Sequence, residues 1–367
     1  MLIKISIPDR MIRLCRILLN KLRLYKNLAL QSVSKANFSL FLPYYPEVAG
    51  GPSRFMQHFV KMLKERNYPY TNKKSKRFSK VFFPIQYDIE YLKAWKKRGI
   101  KICQRLDGVY YTSQYGEEGE AMNHGIREIY KNLADGVIFQ SEYSKMQCGE
   151  ILGEFGNTPH KIIINGTDKK VFYPAKVENQ DFDNRSNRVW KFVTSGNFRE
   201  AHMIEPIIVA LDKMYKEKEH SFKLIVIGPM VLEELQEFFD RPYINHIDHS
   251  PMEVIAEHLR RSDLFIYSFL NPNCPNAVIE AISCALPIVS FNSGSLPELC
   301  YFQKELLADV SEHVIQRYQD FDGKRLYEKL CQCMEQFSHY RSLSLEHSYL
   351  YDKDNVGNEY LNFIESL

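Results

Sequence analysis

From residue 37 onward, short apolar runs alternate with longer stretches in which apolar positions recur every three to four residues. The first kind reads as strand and the second as amphipathic helix. Strands are predicted at 38–42, 81–83, 100–104, 136–140 and 161–165, with helices at 53–66, 89–97, 121–133 and 144–152. A polar stretch without periodicity, residues 175–188, then reads as a linker. Beyond it the pattern restarts, with strands at 189–195, 222–227, 264–268 and 287–291 and helices at 204–216, 231–239, 252–260 and 276–284. Alternation of this kind predicts parallel sheets covered by helices on both faces. The fold class is therefore α/β, with two doubly wound parallel-sheet, Rossmann-like domains facing across a cleft. Ligands on such sheets sit at the carboxyl ends of the strands, so the cleft is the expected site. The chain divides into a leader (1–36), a first domain (37–174), the linker (175–188), a second domain (189–345) and a helical tail (346–367).

The leader departs from the alternation. It carries eight basic residues and one acid, Asp9. Its apolar stretches are broken by Arg13, Arg16, Lys21, Arg23 and Lys26, which leaves no signal-peptide core and no spanning helix. Leu14, Leu18, Leu22 and Tyr25 fall near one face of a helix, with the cations elsewhere. A basic amphipathic helix lying in the plane of an anionic membrane has this pattern. So does an added helix packed on the domain with a solvated basic rim. Two further clusters, residues 73–80 and 93–101, hold ten cations against Asp88 and Glu90. Tyr91 and Trp95 beside them suit an interfacial surface, and a solvated helix face is the plainer alternative.

Composition narrows the class further. A chain of 367 residues holds two domains of ordinary size, and 45% hydrophobic with 25% charged residues excludes a mostly disordered chain, a collagen-like fibre and a polytopic membrane protein. The net charge of +3 conceals an asymmetry: residues 1–101 hold 22 of the 48 basic residues but 5 of the 45 acidic ones. One half is thus expected to meet an anionic surface and the other is not. Eight cysteines are scattered without a CxxC pair or zinc spacing, which points to reduced thiols in a cytoplasmic protein.

The densest chemical signal is NPNCPNAVIEAISCALPIVSFNSGSLPEL, residues 271–299. It reads as a loop, a helix opening at Pro275 and Asn276, and a strand. Proline suits the first helical turn because its missing N–H would be unpaired there. The backbone N–H groups of Asn276, Ala277 and Val278 then point out of the helix start, where donors and dipole bind phosphate. Glu280 lies one turn in, placed to accept hydrogen bonds from two ribose hydroxyls.

This segment resembles the donor-site motif of family 4 glycosyltransferases, retaining enzymes with the two-domain GT-B fold, in the variant that reads Cys-Pro-Asn. Asn273 and Cys274 fall in its loop, and Gly294, Pro297 and Glu298 continue it. The resemblance runs from about residue 37 to 345. LPYYPEVAGGPSRFMQHFVKML (42–63) is similar to the family's first strand and Gly-Gly loop, where Gly50 and Gly51 would let backbone approach the donor phosphate or sugar; a plain turn reads equally well. ADGVIFQSEYSK (134–145) and KIIINGTDKKVFYP (161–174) resemble the segments leading into the family's linker, with Ser141 and Asn165 edging the cleft.

Three positions depart from the family's pattern. In SGNFREAHMIEP (195–206) Gly196 fits a Gly-Arg strand end, but Asn197 replaces the Arg and no Lys follows. Arg199 and His202 are the available substitutes, Arg199 holding phosphate oxygens bidentately as the nucleotide diphosphate leaves. The family's paired glutamates map onto Pro272 and Glu280, and Asn273 or loop backbone would take over what Pro272 does not offer. QRLDG (104–108) stands where many relatives have a His-Gly that contacts the transferred sugar. Asp107 there orients a sugar hydroxyl or takes the acceptor proton, or else caps the next turn. Arg105 is its ion-pair partner or a second phosphate ligand.

The resemblance implies retaining transfer of a sugar from a UDP- or GDP-sugar to a hydroxyl acceptor, with no metal expected. Asp107 and Arg199 would carry the catalysis. Gly50, Gly51, Gly196, His202, Asn273, Cys274, Asn276, Ala277, Val278 and Glu280 would hold the donor. The first domain would be the acceptor side. Its expected substrate is a lipid-linked glycan or polysaccharide precursor, met at the cytoplasmic face of a membrane that residues 1–36 and 73–101 touch. Two other readings remain: a nucleotide-sugar epimerase of the same fold, and a membrane-peripheral, non-catalytic GT-B-like binding module, which Pro272 and Asn197 encourage. No recognition motif accompanies the charge, so no nucleic-acid partner is expected.

Overall fold

The computed structural model describes residues 9–35, 37–43, 51–175, 188–218, 220–310 and 323–367. The first half runs α1 (Asp9–Val33), β1 (Asn37–Phe41), α2 (Gly51–Glu65), β2 (Tyr70–Thr71), β3 (Arg77–Pro84), α3 (Ile89–Lys96), β4 (Lys101–Leu106), α4 (Thr112–Asn132), β5 (Gly136–Phe139), α5 (Glu142–Leu152) and β6 (His160–Ile162). The second half runs β7 (Val189–Ser195), α6 (Glu205–Glu217), β8 (Ser221–Ile227), α7 (Gln236–Phe239), β9 (Ile244–Ile247), α8 (Met252–Arg260), β10 (Leu264–Tyr267), α9 (Asn276–Ser283), β11 (Ile288–Phe291), α10 (Leu296–Leu299), β12 (Leu307–Ala308), α11 (Gly323–Glu335) and α12 (Phe337–His347); α13 (Lys353–Ser366) follows. Each half builds a six-stranded sheet, in the orders β2-β1-β3-β4-β5-β6 and β12-β11-β10-β7-β8-β9. The strand pairings are parallel, as in Leu106 opposite Phe139 and Val193 opposite Ile225. β5, β10 and β11 are buried along their whole length, which is why their sequences read as continuous apolar runs rather than alternations.

Five elements differ from the sequence expectation. Residues 231–239 form a 3-10 turn at Glu233–Leu235 and the four-residue α7 instead of one helix. α4 begins at Thr112 rather than at 121, with Gly116 at φ 57 kinking its polar, Gly-rich first turns, which carry no apolar period to read. β2, β9 and β12 were not expected; β2 and β12 are two residues long, too short to show an alternation.

The tail does not stay with the second half. In α13, Tyr360, Leu361 and Ile364 are buried with Leu40, Phe59, Leu63 and Phe82 in the core of the first half. The chain therefore passes between the cores twice, once between Ile163 and Phe172 and again between Tyr351 and Tyr360. The two passages are hydrogen-bonded to each other: the Thr167 amide donates to the Tyr351 carbonyl (2.8 Å), and the Lys353 amide donates to the Thr167 carbonyl (3.0 Å). Lys353 also pairs with Asp168 at 2.5 Å. A Cβ on Gly166 would sit 2.8 Å from Lys353 backbone, so the contact needs glycine there. The first passage thus precedes the expected linker, of which residues 176–187 lie outside the described residues.

The leader helix docks by a different face from the one the pattern emphasised. Leu24, Leu28 and Gln31 are buried, and the two leucines join Phe41, Phe78 and Trp95. Arg98 donates to the Leu28 carbonyl (3.0 Å) and to Gln31 Oε1 (3.1 Å), fastening the last turns of α1 to the domain. Leu18, Leu22 and Tyr25 stay exposed at 58%, 65% and 66%. The Leu14 side chain lies outside the described residues. Among the described residues no helix is long and apolar enough to cross a membrane.

The interfacial role expected of Tyr91 and Trp95 is corrected. Trp95 is fully buried, edge-on to Phe41 and Phe78 at 5.2 and 5.1 Å, and the Tyr91 hydroxyl accepts from Asn27 at 2.9 Å. Packing of the rings in the core outweighs any surface position. Several cations of that cluster are also engaged within the chain, Lys96 with the Leu133 carbonyl and Asp135, and Lys93 with Glu128.

Candidate active site

The loop between β10 and α9 is fixed from below by the segment after β11. Asn271 takes a left-handed conformation (φ 50) while its amide donates to Ser293 Oγ at 2.9 Å. The Ser295 amide donates to the Pro272 carbonyl at 2.8 Å. Gly294 (φ 60) lies so close that a Cβ there would be 2.5 Å from the Pro272 ring. Pro272 is therefore a packed member of the loop, and it offers the cleft no side-chain donor or acceptor.

α9 opens at Asn276, as expected, with Pro275 as its extended cap rather than in the first turn. One of the three expected phosphate donors is corrected: the Val278 amide donates to the Pro275 carbonyl at 3.1 Å, and its side chain is fully buried. The first turn bends back on its cap, so Asn276 and Ala277 are the two that open the helix. Glu280 is 5% exposed and, with Asn276, lines a pocket. Phe55 and His58 of α2, Asp168, and Lys353 of α13 wall the other side. Helix start, buried carboxylate and pocket thus lie together at the edge of the cleft.

Asp107 and Gly108 leave the end of β4 and meet this loop. Gly108 (φ 137) has no space for a side chain because the Asn273 carboxamide presses against it. The Asn273 Oδ1 is buried without a hydrogen-bond partner among the described residues. Asp107 is 8% exposed, and its carboxylate is 3.0 Å from Nε of Arg105, which is itself fully buried. Burial pushes the Asp107 carboxyl above the usual carboxylate range, and Arg105 and Gln140 beside it pull against that rise. Of the two roles left open for Arg105, the ion pair is the one observed.

The remaining expected residues are dispersed. Gly51 begins α2, and Gly50 lies outside the described residues. Gly196 is needed because a Cβ would be 2.5 Å from the Phe269 ring. Arg199 is exposed beside the end of β7 and faces Tyr115 of α4 electrostatically. His202 is 8% exposed, next to Glu200 at 3.2 Å. Burial lowers its pKa to about 4, so at neutral pH it offers a hydrogen bond and no charge. Cys274 is buried, its Sγ accepting from the Asn165 amide at 3.3 Å and its thiol pushed up to about 12, which makes it a neutral pin between the halves.

The contacts of Glu298 and Gln140 across the cleft were not foreseen, whereas Ser141 was expected at its edge. Glu298 reaches across to the first half, where its carboxylate accepts from the amides of Glu142 (2.8 Å) and Tyr143 (2.7 Å) at the start of α5. Ser141, beside them, donates to the Asn273 carbonyl at 2.7 Å. Gln140 accepts from Asn165 at 3.0 Å. Each had a local motif as signal, but nothing in the sequence says which residue faces which across the cleft. Among the described residues no three His, Cys, Asp or Glu side chains are gathered as a metal site.

Residues 190–318 match the family described as Glycosyl transferases group 1. Among solved structures, the chain is similar to sucrose-phosphate synthase from Thermosynechococcus elongatus, with 13% identity, a TM-score of 0.68, and coverage of 90% of this chain and 99% of that one. It is likewise similar to Anabaena HepE in complex with UDP-glucose (12%, 0.66, 90% and 100%). A third is WaaG, a glycosyltransferase involved in lipopolysaccharide biosynthesis (11%, 0.64, 89% and 99%). A search of curated proteins found no match. Two parallel sheets across a cleft are the GT-B fold, and with the group 1 domain over residues 190–318 they are those of a glycosyltransferase.

Proposed function

We propose that the protein is a retaining glycosyltransferase that moves a hexose-type sugar from a UDP- or GDP-sugar to a hydroxyl of a lipid-linked glycan or polysaccharide precursor. One observation carries the reading: the start of α9 and the buried Glu280, both inside the stretch that matches the group 1 family, line a pocket whose other walls come mostly from the first half, the crossing segment and α13. In this reading Glu280 anchors the donor ribose and sets its register. The diphosphate leaves toward Arg199 and the amides of Asn276 and Ala277, and its own oxygen helps take the acceptor proton. Asp107 orients a hydroxyl of the transferred sugar. The structures of HepE with UDP and UDP-glucose support UDP as the first nucleotide to try.

Thermal unfolding with UDP, GDP, ADP, CMP and dTDP in turn tests the donor site. One nucleotide should stabilise the protein by about 2.7 kcal/mol at a hundredfold excess over Kd. Glu280→Ala should abolish most of that shift. An unchanged shift in the variant removes Glu280 from the site.

The membrane side of the proposal rests on α1. Ile17, Leu18, Leu22 and Tyr25 are exposed there amid Arg16, Lys21, Arg23 and Lys26. Replacing both Leu18 and Leu22 by Glu should lower binding to phosphatidylglycerol vesicles at least tenfold, since each buried leucine is worth about 1.5–3 kcal/mol. Equal sedimentation of variant and wild type would refute it. Pro272, packed away on Gly294, favours a second reading, a non-catalytic membrane module. That reading predicts vesicle binding with neither sugar turnover nor donor hydrolysis.

A further inference from the structure

Four side chains close a ring at the floor of the cleft. The Arg105 guanidinium meets the Asp107 carboxylate through Nε at 3.0 Å. Its Nη2 donates to Asn165 Oδ1, also at 3.0 Å. Asn165 Nδ2 donates to Gln140 Oε1 at 3.0 Å, and Gln140 stands beside Asp107, close enough to lower its pKa. The same Asn165 amide group lies 3.0 Å from Asn276 Oδ1 and 3.3 Å from the Cys274 carbonyl, so its two N–H bonds serve three acceptors on both sides of the cleft. Arg105 is also stacked at 3.8 Å over the Phe55 ring.

Packing alone does not explain an arginine here. A wholly buried guanidinium costs several kcal/mol in desolvation, and a buried ion pair seldom returns more than that in stability. Its Nε and Nη1, and the facing Asp107 Oδ1, have no hydrogen-bond partner among the described residues, so its contact with Asp107 is an ion pair without hydrogen-bond geometry. What the arginine does supply is a rigid fork with one arm on Asp107 and the other on Asn165.

We infer that Arg105 is a positioning residue: it pins Asp107 and, through Asn165, ties that carboxylate to the start of α9, so that the acceptor-side group is aligned when the two halves meet. The inference rests on the proposed role of Asp107 toward the transferred sugar. The other titratable groups facing Asp107 are Cys148 of α5, Cys274 before α9 and Tyr360 of α13. Burial raises the pKa of all three, to about 12 for each thiol, so they are neutral at pH 7 and Arg105 is the charge that acts on Asp107. Its loss must let the Asp107 pKa rise, which moves the acid limb of activity toward higher pH.

The experiment is the pH dependence of kcat/KM for wild type, Asp107→Asn, Arg105→Gln, Arg105→Lys and Asn165→Ala. Asp107→Asn should flatten the acid limb. Arg105→Gln should move it up by about 1–3 pH units, the usual effect of an opposite charge at this distance. Arg105→Lys keeps the charge and loses the fork. It should hold the limb in place while sharing with Asn165→Ala a fall in kcat of roughly tenfold and little change in donor KM. An acid limb that survives Asp107→Asn defeats the reading of Asp107 itself. A limb that Asp107→Asn flattens but Arg105→Gln leaves unmoved defeats the role of Arg105 alone. If Arg105→Gln does not fold, a wild-type kcat in Arg105→Lys and Asn165→Ala overturns the inference. Infrared titration of the Asp107 carboxyl band, taken as the difference from Asp107→Asn, reads the Arg105→Lys and Arg105→Gln shifts without turnover.

Discussion

A chain ended after Leu350 will not keep its first domain folded. The loss removes Tyr360, Leu361 and Ile364 from the core they share with Leu40, Phe59, Leu63 and Phe82. Each such side chain is worth about 1.5–3 kcal/mol of burial, so the three sum to about 5–9 kcal/mol. A whole domain is typically stable by about 5–15 kcal/mol, and most of that is gone. Phe55, Phe59 and Phe82 would also lose the Tyr360 ring they contact at 4.7, 6.0 and 5.7 Å. The second domain loses Tyr351 but keeps the rest of its core, including Trp190 against Phe337, and should stay folded. Hydrogen exchange distinguishes the two halves. Amides of β1, β3 and β4 should exchange freely in the shortened chain while those of β7, β8 and β10 remain protected. Equal protection of both sheets would show that α13 is an accessory. In the full chain, Tyr360→Ala should cost about 3–5 kcal/mol by urea unfolding, the usual range for a buried aromatic.

The second large effect is on activity. Arg199→Ala should lower kcat by about 10²–10³, the loss typical when one donor to a developing negative charge is removed. The argument is by charge. Residues 195–206 contain two basic side chains, Arg199 and His202, and two acids, Glu200 and Glu205. His202 is neutral at pH 7 because burial lowers its pKa to about 4, so the diphosphate would draw its positive charge from Arg199. His202→Ala should therefore cost much less than Arg199→Ala. Its effect should stay constant from pH 6 to pH 8, since the imidazole is uncharged throughout. A large loss in His202→Ala that appears only at low pH would reverse the assignment. Arg199→Lys should recover part of the rate, because it keeps the charge without the bidentate geometry.

Periodicity made most of the scaffold legible. Val189–Ser195 and Met252–Arg260 fall where the pattern put them, and α9 opens at Asn276. Those segments are long, or begin with proline, and local rules decide them. The route of the tail was not legible, because an amphipathic helix states that it needs a core without stating which one. The same limit applies to α1, whose strongest apolar stripe stays exposed while Leu24 and Leu28 dock. At the site, the motif placed Glu280, Asn273 and Asp107 near the cleft. The ring through Arg105, Asn165 and Gln140 joins residues up to 60 positions apart, and only the folded chain brings them together. Trp95 misled for a related reason: its cationic neighbours in sequence say nothing of the aromatic cluster that takes up its ring.

The paired passages at Thr167 and Lys353 have a mechanical consequence. A single flexible link would let one half swing and twist freely on the other. Two passages hydrogen-bonded backbone to backbone behave like a pinned joint. Opening of the cleft is then confined largely to rotation about a line through Gly166, Thr167 and Lys353, because sliding or twisting would shear those bonds and the Lys353–Asp168 pair. Residues far from this line move farthest for a given angle and residues on it hardly at all. The cavity beside Glu280, which Gly166, Thr167 and Lys353 themselves line, sits close to the axis and would keep its shape through the swing. Arg199 is not among its lining residues, and whatever it grips would be gathered or released by the full arc.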